Sequence, residues 1–405
     1  MSGTTVIIGA GHAGGTAAAL LRQHQSDGRI IVLGDEAVPP YQRPPLSKAW
    51  LKGDADEESL ALRPVEFYVE ANIDLRLGAR VETLDVEAGR VLVDGQSLAF
   101  DQAIIATGAR PIQLQIPGAD LIGVQTLRTT LDAETLKTRI GPGQRVVVVG
   151  GGYIGLEVAA SAHALGAQAI VVERAPRLLA RSASPQVADF YLTYHRARGV
   201  DVRLNAQVVG FEGRDGQVTG VTLADGEVIA CDVVVVGVGV LPNIELAKAA
   251  GLACGRGVVV DGDARTSTPG VYAIGDCTER PYALYERWLC PESVPSALEQ
   301  AKQAAAHIAG KPTPAPETPW NWSDQFDLKL QVAGFALDID QVVVRGDPES
   351  GSFAVFHLKQ DVLRQVEAIN APPEFMAGKQ LIQRQTPVDP ARLADPNVSM
   401  KAVAG

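Results

Sequence analysis

Cysteine is scarce in this chain, and no two cysteines stand close together in the sequence. Four occur among the 405 residues, and none forms a C-x-x-C pair: Cys231, Cys254, Cys277 and Cys290. Zinc sites and iron–sulfur clusters need grouped cysteine or histidine ligands, so we expect no metal site. The low cysteine count also favours a reducing cytoplasm.

Long apolar runs and an excess of basic charge are missing as well. The strongly apolar runs, such as Val146–Val149 and Val233–Val236, have the length of strands and are far too short to span a membrane. The chain enters a strand pattern within its first residues, so we expect no signal peptide and a cytoplasmic location. With 36 basic against 47 acidic residues the net charge is −11, which disfavours nucleic acid and anionic membranes as partners.

Glycine is plentiful, with 41 residues, and two glycine-rich loops repeat one pattern. Each copy is a buried strand, a G-x-G-x-x-G loop and a helix, with Gly9, Gly11 and Gly14 in the first copy and Gly150, Gly152 and Gly155 in the second. The first glycine of such a loop permits a tight turn, the second lets a diphosphate approach the backbone, and the third lets the helix pack on the strand. The repeat predicts an α/β fold with two doubly wound, Rossmann-like dinucleotide-binding domains.

Acidic residues follow each loop at about the distance at which a carboxylate binds the ribose of a dinucleotide. These are Asp35 or Glu36 in the first copy and Glu173 in the second. A carboxylate at position 173 repels a 2′-phosphate, so we expect NADH to be preferred over NADPH. Arg174 and Arg181 follow Glu173, and either could meet a phosphate, but neither removes the acid.

A third motif assigns the first loop to a flavin. The segment 266–276, TSTPGVYAIGD, is a strand that ends in Asp276, placed to bind a ribityl chain. FAD has a ribityl chain and nicotinamide dinucleotides have none. Because this motif follows the second loop, we expect an FAD-binding domain in two pieces, 1–109 and 237–315, with an NAD-binding domain at 110–236 inserted. The proline-rich stretch 311–319 leads into a small α+β C-terminal domain at 316–405.

With these motifs, the sequence resembles the FAD-dependent pyridine-nucleotide oxidoreductases of the glutathione-reductase fold. Within them it is similar to the bacterial NADH–ferredoxin reductases that serve oxygenases, the putidaredoxin-reductase-like group. The resemblance spans essentially the whole chain and is carried by YQRPPLSK (41–48), ATGAR (106–110), GGGYIGLE (150–157), GVGVLPN (237–243), GDC (275–277), ESVPSALEQA (292–301), WNWSDQ (320–325) and NAPPEF (370–375).

The resemblance implies roles for the matching positions. For one non-covalent FAD these are Gly9, Gly11, Ala13, Gly14, Asp35, Glu36, Arg43, Lys48, Val81, Ala106, Thr107, Gly108, Arg128, Asp276, Val294, Trp320 and Trp322. For NAD they are Gly150, Gly152, Tyr153, Ile154, Gly155, Glu157, Glu173, Arg181, Gly237 and Gly239. The backbone N–H of Val294 would face the flavin, and of the two tryptophans Trp322 is favoured beside the flavin ring.

The resemblance also pairs Lys48 with Glu157 beside the flavin, and with Trp322 these are the expected catalytic residues. A buried ion pair there would position the nicotinamide and keep positive charge near the flavin. The alternatives are that Glu157 is an ordinary acid in the first turn of a helix and that Lys48 is a surface lysine.

The absence of a redox-active cysteine near the expected flavin site limits the route by which electrons leave the flavin. Disulfide reductases of this fold need a cysteine pair near the flavin, and the related oxidases need one cysteine where positions 38–48 read VPPYQRPPLSK. We therefore expect hydride transfer from NADH to FAD, then single-electron transfer to a 2Fe-2S ferredoxin that supplies a monooxygenase or dioxygenase. The alternatives are a rubredoxin reductase, an NADH diaphorase or oxidase, and a flavin-based redox sensor. The chain is expected to be a monomer or a homodimer.

Overall fold

The computed structural model describes residues 3–24 and 27–403. Its helices are α1 (His12–Gln23), α2 (Ala49–Lys52), α3 (Glu57–Leu60), α4 (Val65–Glu70), α5 (Thr130–Lys137), α6 (Tyr153–Ala164), α7 (Pro185–Ala197), α8 (Glu245–Ala249), α9 (Val294–Ile308), α10 (Pro372–Arg384), α11 (Pro390–Ala394) and α12 (Met400–Val403). Short 3-10 turns occur at Pro44–Ser47, Gly275–Cys277, Ala283–Tyr285 and Pro348–Ser350.

The strands of the first half are β1 (Thr4–Ile8), β2 (Arg29–Leu33), β3 (Ile73–Arg76), β4 (Val81–Asp85), β5 (Arg90–Val93), β6 (Gln96–Ala99), β7 (Gln102–Ile105), β8 (Ala109–Pro111), β9 (Val124–Gln125), β10 (Arg145–Val149), β11 (Gln168–Val172) and β12 (Asp201–Arg203). The later strands are β13 (Val208–Arg214), β14 (Gln217–Leu223), β15 (Val228–Ala230), β16 (Val233–Val236), β17 (Val240–Pro242), β18 (Val258–Val259), β19 (Val271–Ala273), β20 (Thr278–Tyr282), β21 (Arg287–Leu289), β22 (Trp320–Gln325), β23 (Leu328–Gly334), β24 (Gln341–Asp347), β25 (Ser352–Lys359) and β26 (Val362–Ile369).

The chain divides into two compact units, each built from separate stretches of sequence. The first unit contains the chain up to Gln42, Glu57–Arg110 and Leu241–Pro319. The second unit contains Arg43–Asp56, Pro111–Val240 and the chain from Trp320 onward. The second unit contains nearly all of the stretch expected to bind NAD and of the expected C-terminal domain. It also contains the short segment around Lys48. The division into three domains stays a prediction.

The first unit is built on a parallel sheet with strand order β19-β7-β1-β2-β3. Alternate residues of β1 face opposite sides of this sheet: Ile7 joins one apolar cluster, and Val6 and Ile8 join another. Both faces are covered, as parallel sheets require. The cluster that contains Ile7 includes alanines of α1 and α9, whose small side chains let the two helices lie close together.

The second unit repeats this plan and adds an antiparallel sheet. Its parallel sheet has the order β12-β11-β10-β16-β9, so the strand before the glycine loop is again flanked by the next strand and by a later one. Val146 and Val148 face one cluster, and Val147 and Val149 face another. The residues from Trp320 form the sheet β22-β23-β26-β25-β24, all of whose pairings are antiparallel.

The C-terminal segment after α10 is held by one buried arginine. Arg345, on β24, donates to the backbone oxygens of Asp395 (2.6 Å) and Val398 (2.7 Å) and pairs with Glu374. The predicted α/β class, with two doubly wound sheets and a separate C-terminal sheet, is confirmed. Among the described residues, no helix combines the length and apolarity that crossing a membrane would take.

Candidate functional site

The two glycine loops are built by the same set of backbone hydrogen bonds. The N–H of Gly9 donates to Leu33 O (2.8 Å), and the N–H of Gly150 donates to Val172 O (2.8 Å). On the other side of the central strand, the N–H of Ala106 donates to Ile8 O (2.7 Å). The sequence repeat is therefore a structural repeat, in which Gly9 corresponds to Gly150 and Leu33 to Val172.

The outer glycines of each loop are required by the fold itself. Gly9 and Gly150 have φ of +116° and +109°, in the region that favours glycine. A Cβ on Gly14 would lie 1.9 Å from Gly9 O, and one on Gly155 would lie 2.2 Å from Gly150 O. These positions fix how closely each helix approaches its own loop.

The middle glycines face open space instead. A Cβ on Gly11 or on Gly152 would meet nothing within 4 Å. Gly11 and Gly152 are the N-cap residues of α1 and α6, and neither has a side chain that could cap the helix. The first N–H groups of each helix therefore point toward the open space beside the glycine. Room for a diphosphate beside backbone N–H groups at a positive helix terminus fits a dinucleotide at both loops.

The acid expected at the second loop is held rigidly. Glu173 directly follows β11, and its carboxylate accepts from the N–H of Gly151 (2.7 Å) and the N–H of Ala175 (2.7 Å). Each carboxylate oxygen accepts one of these two hydrogen bonds, and together the bonds fix the side chain. Each oxygen keeps a further lone pair with which it can accept from a ligand. Glu173 is thereby held beside the glycine loop.

The first loop places its acids differently. The N–H of Glu173 donates to Arg203 O, and the matching bond of the first copy is made by Gly34, whose N–H donates to Arg76 O. Asp35 and Glu36 therefore lie one and two residues beyond the position of Glu173. Glu36 accepts from the hydroxyl of Tyr41 (2.7 Å), whereas Asp35 is exposed.

Most other residues expected to bind FAD lie around the first loop of the first unit. Ala13 is on α1, Val81 begins β4, Ala106, Thr107 and Gly108 follow β7, and Val294 begins α9. A Cβ on Gly275 would lie 3.0 Å from the Cβ of Ala13, so the turn that carries Asp276 packs against the glycine-loop helix. Gln300 Oε1 accepts from Thr278 Oγ (2.7 Å) and from the N–H of Gly275 (3.3 Å), which ties this turn to α9.

Thr107 is held by Asn243, a residue without an expected role of its own. The Thr107 hydroxyl donates to Asn243 O (2.7 Å), and the Asn243 amide donates to Thr107 O (2.8 Å). This reciprocal pair joins the end of β7 to the segment after β17 within the first unit.

Five residues expected at the FAD belong to the second unit: Arg43, Lys48, Arg128, Trp320 and Trp322. Arg43 Nη1 donates to Arg128 O (2.7 Å), so these two arginines lie together. The rings of Trp320 and Trp322 are 5.6 Å apart, and Trp320 also packs on Phe375.

The remaining residues expected to bind NAD surround the second loop. The Tyr153 hydroxyl donates to Ser182 O (3.1 Å), and burial raises the pKa of this phenol, which stays neutral. Arg181 Nη2 donates to Val238 O (3.2 Å), between Gly237 and Gly239. Ile154, in the first turn of α6, is 46% exposed.

Lys48 and Glu157 are in contact, and three donors converge on the buried carboxylate. Glu157 is 2% exposed, and its Oε2 accepts from Lys48 Nζ (2.7 Å) and Ser47 Oγ (2.5 Å). Its Oε1 accepts from Ser323 Oγ (2.7 Å). A charge this deeply buried is tolerated only when it is paired and hydrogen-bonded. Lys48 is thus paired with Glu157, and Glu157 lies beyond the first turn of α6. The catalytic roles of the two residues stay a prediction.

Sequence reasoning missed the residues that support this pair. Ser47 is next to Lys48, but Ser323, Gln325 and His195 are far from Glu157 in the sequence. A signal was present in the alternation of Asn321, Ser323 and Gln325, three polar residues on one face of a strand. The pattern does not say which helix that face packs on.

Comparison with known proteins places the chain in a family. Residues 3–305 match the family Pyridine nucleotide-disulphide oxidoreductase, and residues 320–404 match Reductase C-terminal. A probable ferredoxin reductase, CtmF, of Castellaniella defragrans is 51% identical over 98% of this chain and 98% of its own length. A rubredoxin-NAD(+) reductase of Pseudomonas putida is 41% identical over 91% of this chain and 96% of its own.

A solved structure is similar over the whole chain. In the crystal structure of the covalent putidaredoxin reductase–putidaredoxin complex, the matching chain is 40% identical, with a TM-score of 0.97. The match covers 99% of this chain and 98% of that one. The order of elements described above is therefore that of a known redox protein.

The different roles of the glycines can be separated by substitution. Gly152→Ala adds a methyl that meets no protein atom, so the fold should keep its stability while affinity for NAD falls about tenfold. Gly155→Ala forces a Cβ against Gly150 O, so the protein itself should lose roughly 1–3 kcal/mol. Denaturant unfolding and NAD titration of both variants measure the two effects. A Gly152→Ala protein that binds NAD like the wild type would contradict the assignment of the loop.

Proposed function

This chain belongs to the pyridine nucleotide-disulphide oxidoreductase family, and on that premise we propose that it is an FAD-dependent NADH–ferredoxin reductase. The observation that carries the proposal is the duplicated dinucleotide loop together with the similarity, along the whole chain, to ferredoxin reductases. FAD and a pyridine nucleotide are its cofactors, and a 2Fe-2S ferredoxin is its electron acceptor.

The cysteines of this chain are unsuited to carrying electrons. All four are free, and burial raises the pKa of each thiol, to about 12 for Cys231 and Cys290. The thiolate is the reactive form in thiol–disulfide chemistry, and at neutral pH these thiols are protonated. Electrons therefore go to an external acceptor without passing through a protein disulfide.

The residues of the chain bind and orient the cofactors. The backbone N–H groups at the start of α1 would hold the FAD diphosphate, and those at the start of α6 would hold the diphosphate of the pyridine nucleotide. Bound FAD supplies the redox chemistry, since a flavin accepts a hydride and can release its electrons singly. Lys48 provides a fixed positive charge, which Glu157 holds in place.

NADH is the proposed reductant, in preference to NADPH. Glu173 accepts backbone hydrogen bonds on both carboxylate oxygens, so it cannot turn away from an incoming 2′-phosphate. Ribose hydroxyls can donate to the same carboxylate. Arg181 is exposed and donates one hydrogen bond, to Val238 O, so the preference rests on the charge of Glu173.

Rubredoxin is the second candidate acceptor, favoured by the relative that is named a rubredoxin-NAD(+) reductase. Both acceptors take one electron at a time, so the same cofactor chemistry serves either. Comparison of the two acceptors at equal concentration distinguishes them.

Turnover with each acceptor tests the proposed function. The purified protein should show flavin absorption bands, and NADH oxidation coupled to cytochrome c should rise at least tenfold when a 2Fe-2S ferredoxin is added. The control replaces ferredoxin with rubredoxin. Equal rates with and without either acceptor would overturn the proposal and favour a diaphorase or a flavin-based sensor. A protein that cannot bind FAD would exclude the reductase, the diaphorase and the sensor alike.

The role of Glu173 in nucleotide choice has its own test. Glu173→Gln removes the negative charge, so the ratio of kcat/KM for NADH to that for NADPH should fall about tenfold. Most of the change should come from a lower KM for NADPH. Glu227→Gln is the matched control, because Glu227 is an exposed carboxylate paired with Arg203. An unchanged ratio in Glu173→Gln would mean that another group excludes the phosphate.

A further inference from the structure

A line of buried polar side chains continues from Glu157 away from Lys48. Ser323 Oγ is 2.7 Å from Glu157 Oε1, Gln325 Nε2 is 3.1 Å from Ser323 Oγ, and His195 Nε2 is 2.8 Å from Gln325 Oε1. Ser323 and His195 have no exposed surface, and Gln325 is 1% exposed. The expected roles of Lys48 and Glu157 do not explain why this chain of contacts exists.

Donor counting fixes the direction of every hydrogen bond in this line. An ionised Glu157 can only accept, so Ser323 must donate its single proton to it. Ser323 Oγ then accepts from the Gln325 amide, which leaves Gln325 Oε1 facing His195. Because that oxygen can only accept, His195 must carry its proton on Nε2.

The state of His195 agrees with this direction. Burial lowers the pKa of its imidazole to about 4, so the ring is neutral at neutral pH. Its Nδ1 is buried and has no hydrogen-bond partner in the part of the chain that the structure describes. A bare lone pair there costs less than a buried N–H without an acceptor.

One strand and two helices make this geometry. Ser323 and Gln325 are two residues apart on β22, so their side chains lie on the same face of the strand. Ser323 contacts Glu157 on α6, and Gln325 contacts His195 on α7. Trp320 and Trp322 occupy the other face of β22. The strand that carries the tryptophans therefore also fixes the carboxylate that holds Lys48.

The titratable groups near Glu157 are its ion-pair partner Lys48 and two buried phenols. Lys48 contacts the carboxylate directly, and Tyr153 and Tyr191 lie close enough for its charge to act on them. Burial raises the pKa of both phenols, so neither loses its proton in the neutral range.

We propose that Ser323, supported by Gln325 and His195, is a positioning residue that holds the Glu157 carboxylate in its ion pair with Lys48. The hydrogen bonds all run toward the carboxylate, and donors aligned in this way polarise one another and stabilise the anion at the end. Ser323 thus acts on the reaction through Glu157 and Lys48. The proposal rests on the proposed function, since it concerns the transfer of electrons from NADH.

The pH dependence of flavin reduction tests the role of Ser323. Reduction of the FAD-loaded protein by NADH is followed by stopped-flow absorbance without any ferredoxin. Ser323→Ala should move the acid limb of the limiting rate about one pH unit upward, a tenfold loss at a fixed pH on that limb. The dissociation constant for NADH should change by less than about twofold, since Ser323 stands behind the pair.

Two further variants separate positioning from packing. Ser161→Ala is the matched control, because Ser161 is also a buried serine whose hydroxyl donates a 2.7 Å bond, to Ser47 O instead of to the carboxylate. It should leave the pH profile in place. Ser323→Thr keeps the hydroxyl and should restore the wild-type acid limb. An equal shift in Ser161→Ala and Ser323→Ala would reduce the effect to loosened packing and overturn the proposal.

The tautomer of His195 gives a readout that needs no turnover. Histidine-labelled ¹⁵N NMR of the wild-type holoenzyme should show the Nε2–H tautomer for this ring, identified by the signal lost in His195→Phe. An Nδ1–H tautomer would reverse the line of donors and contradict the proposal. A wild-type protein that NADH does not reduce would instead overturn the proposed function, and the tautomer would still report on the hydrogen bonds.

Discussion

One buried carboxylate, that of Glu157, ties together separate stretches of the second unit. Glu157 is 2% exposed, and it receives donors from the segment before α2, through Ser47 and Lys48, and from β22, through Ser323. Stretches far apart in the sequence must meet for this charge to be buried, since an unpaired carboxylate there would be strongly unfavourable. Residues 43–56 supply two of these donors, Ser47 and Lys48. In agreement with this, they group with the second unit and not with the chain on either side of them.

The two glycine loops share one backbone plan and differ in the side chains around it. The hydrogen bonds around Gly9 and Gly150 correspond, whereas the residue after the second strand is Gly34 in one copy and Glu173 in the other. A Cβ on Gly34 would lie 2.6 Å from the Cβ of Ala10, so the first copy has no room for an acid at this position. The two copies thus differ in the side chains that a shared frame of strands and helix termini carries.

The sequence predicted what depends on local patterns. The strand–loop–helix repeat is local, and so the parallel sheets followed from spacing alone. The binding roles of Gly11 and Gly152 stay predictions. The contact of Lys48 with Glu157 was expected from a resemblance and not from a pattern. Gln325 and His195 lie in separate elements whose meeting depends on tertiary packing, which no periodicity encodes.

The pairing of Lys48 with Glu157 is measured most directly by a double-mutant cycle on the free energy of unfolding of the FAD-loaded protein. Lys48→Met leaves a buried carboxylate unpaired, Glu157→Gln removes the charge, and the double variant removes both. A coupling of about 2 kcal/mol or more is predicted for a pair this deeply buried. A coupling within about 0.5 kcal/mol of zero would contradict it and show that the two groups act independently.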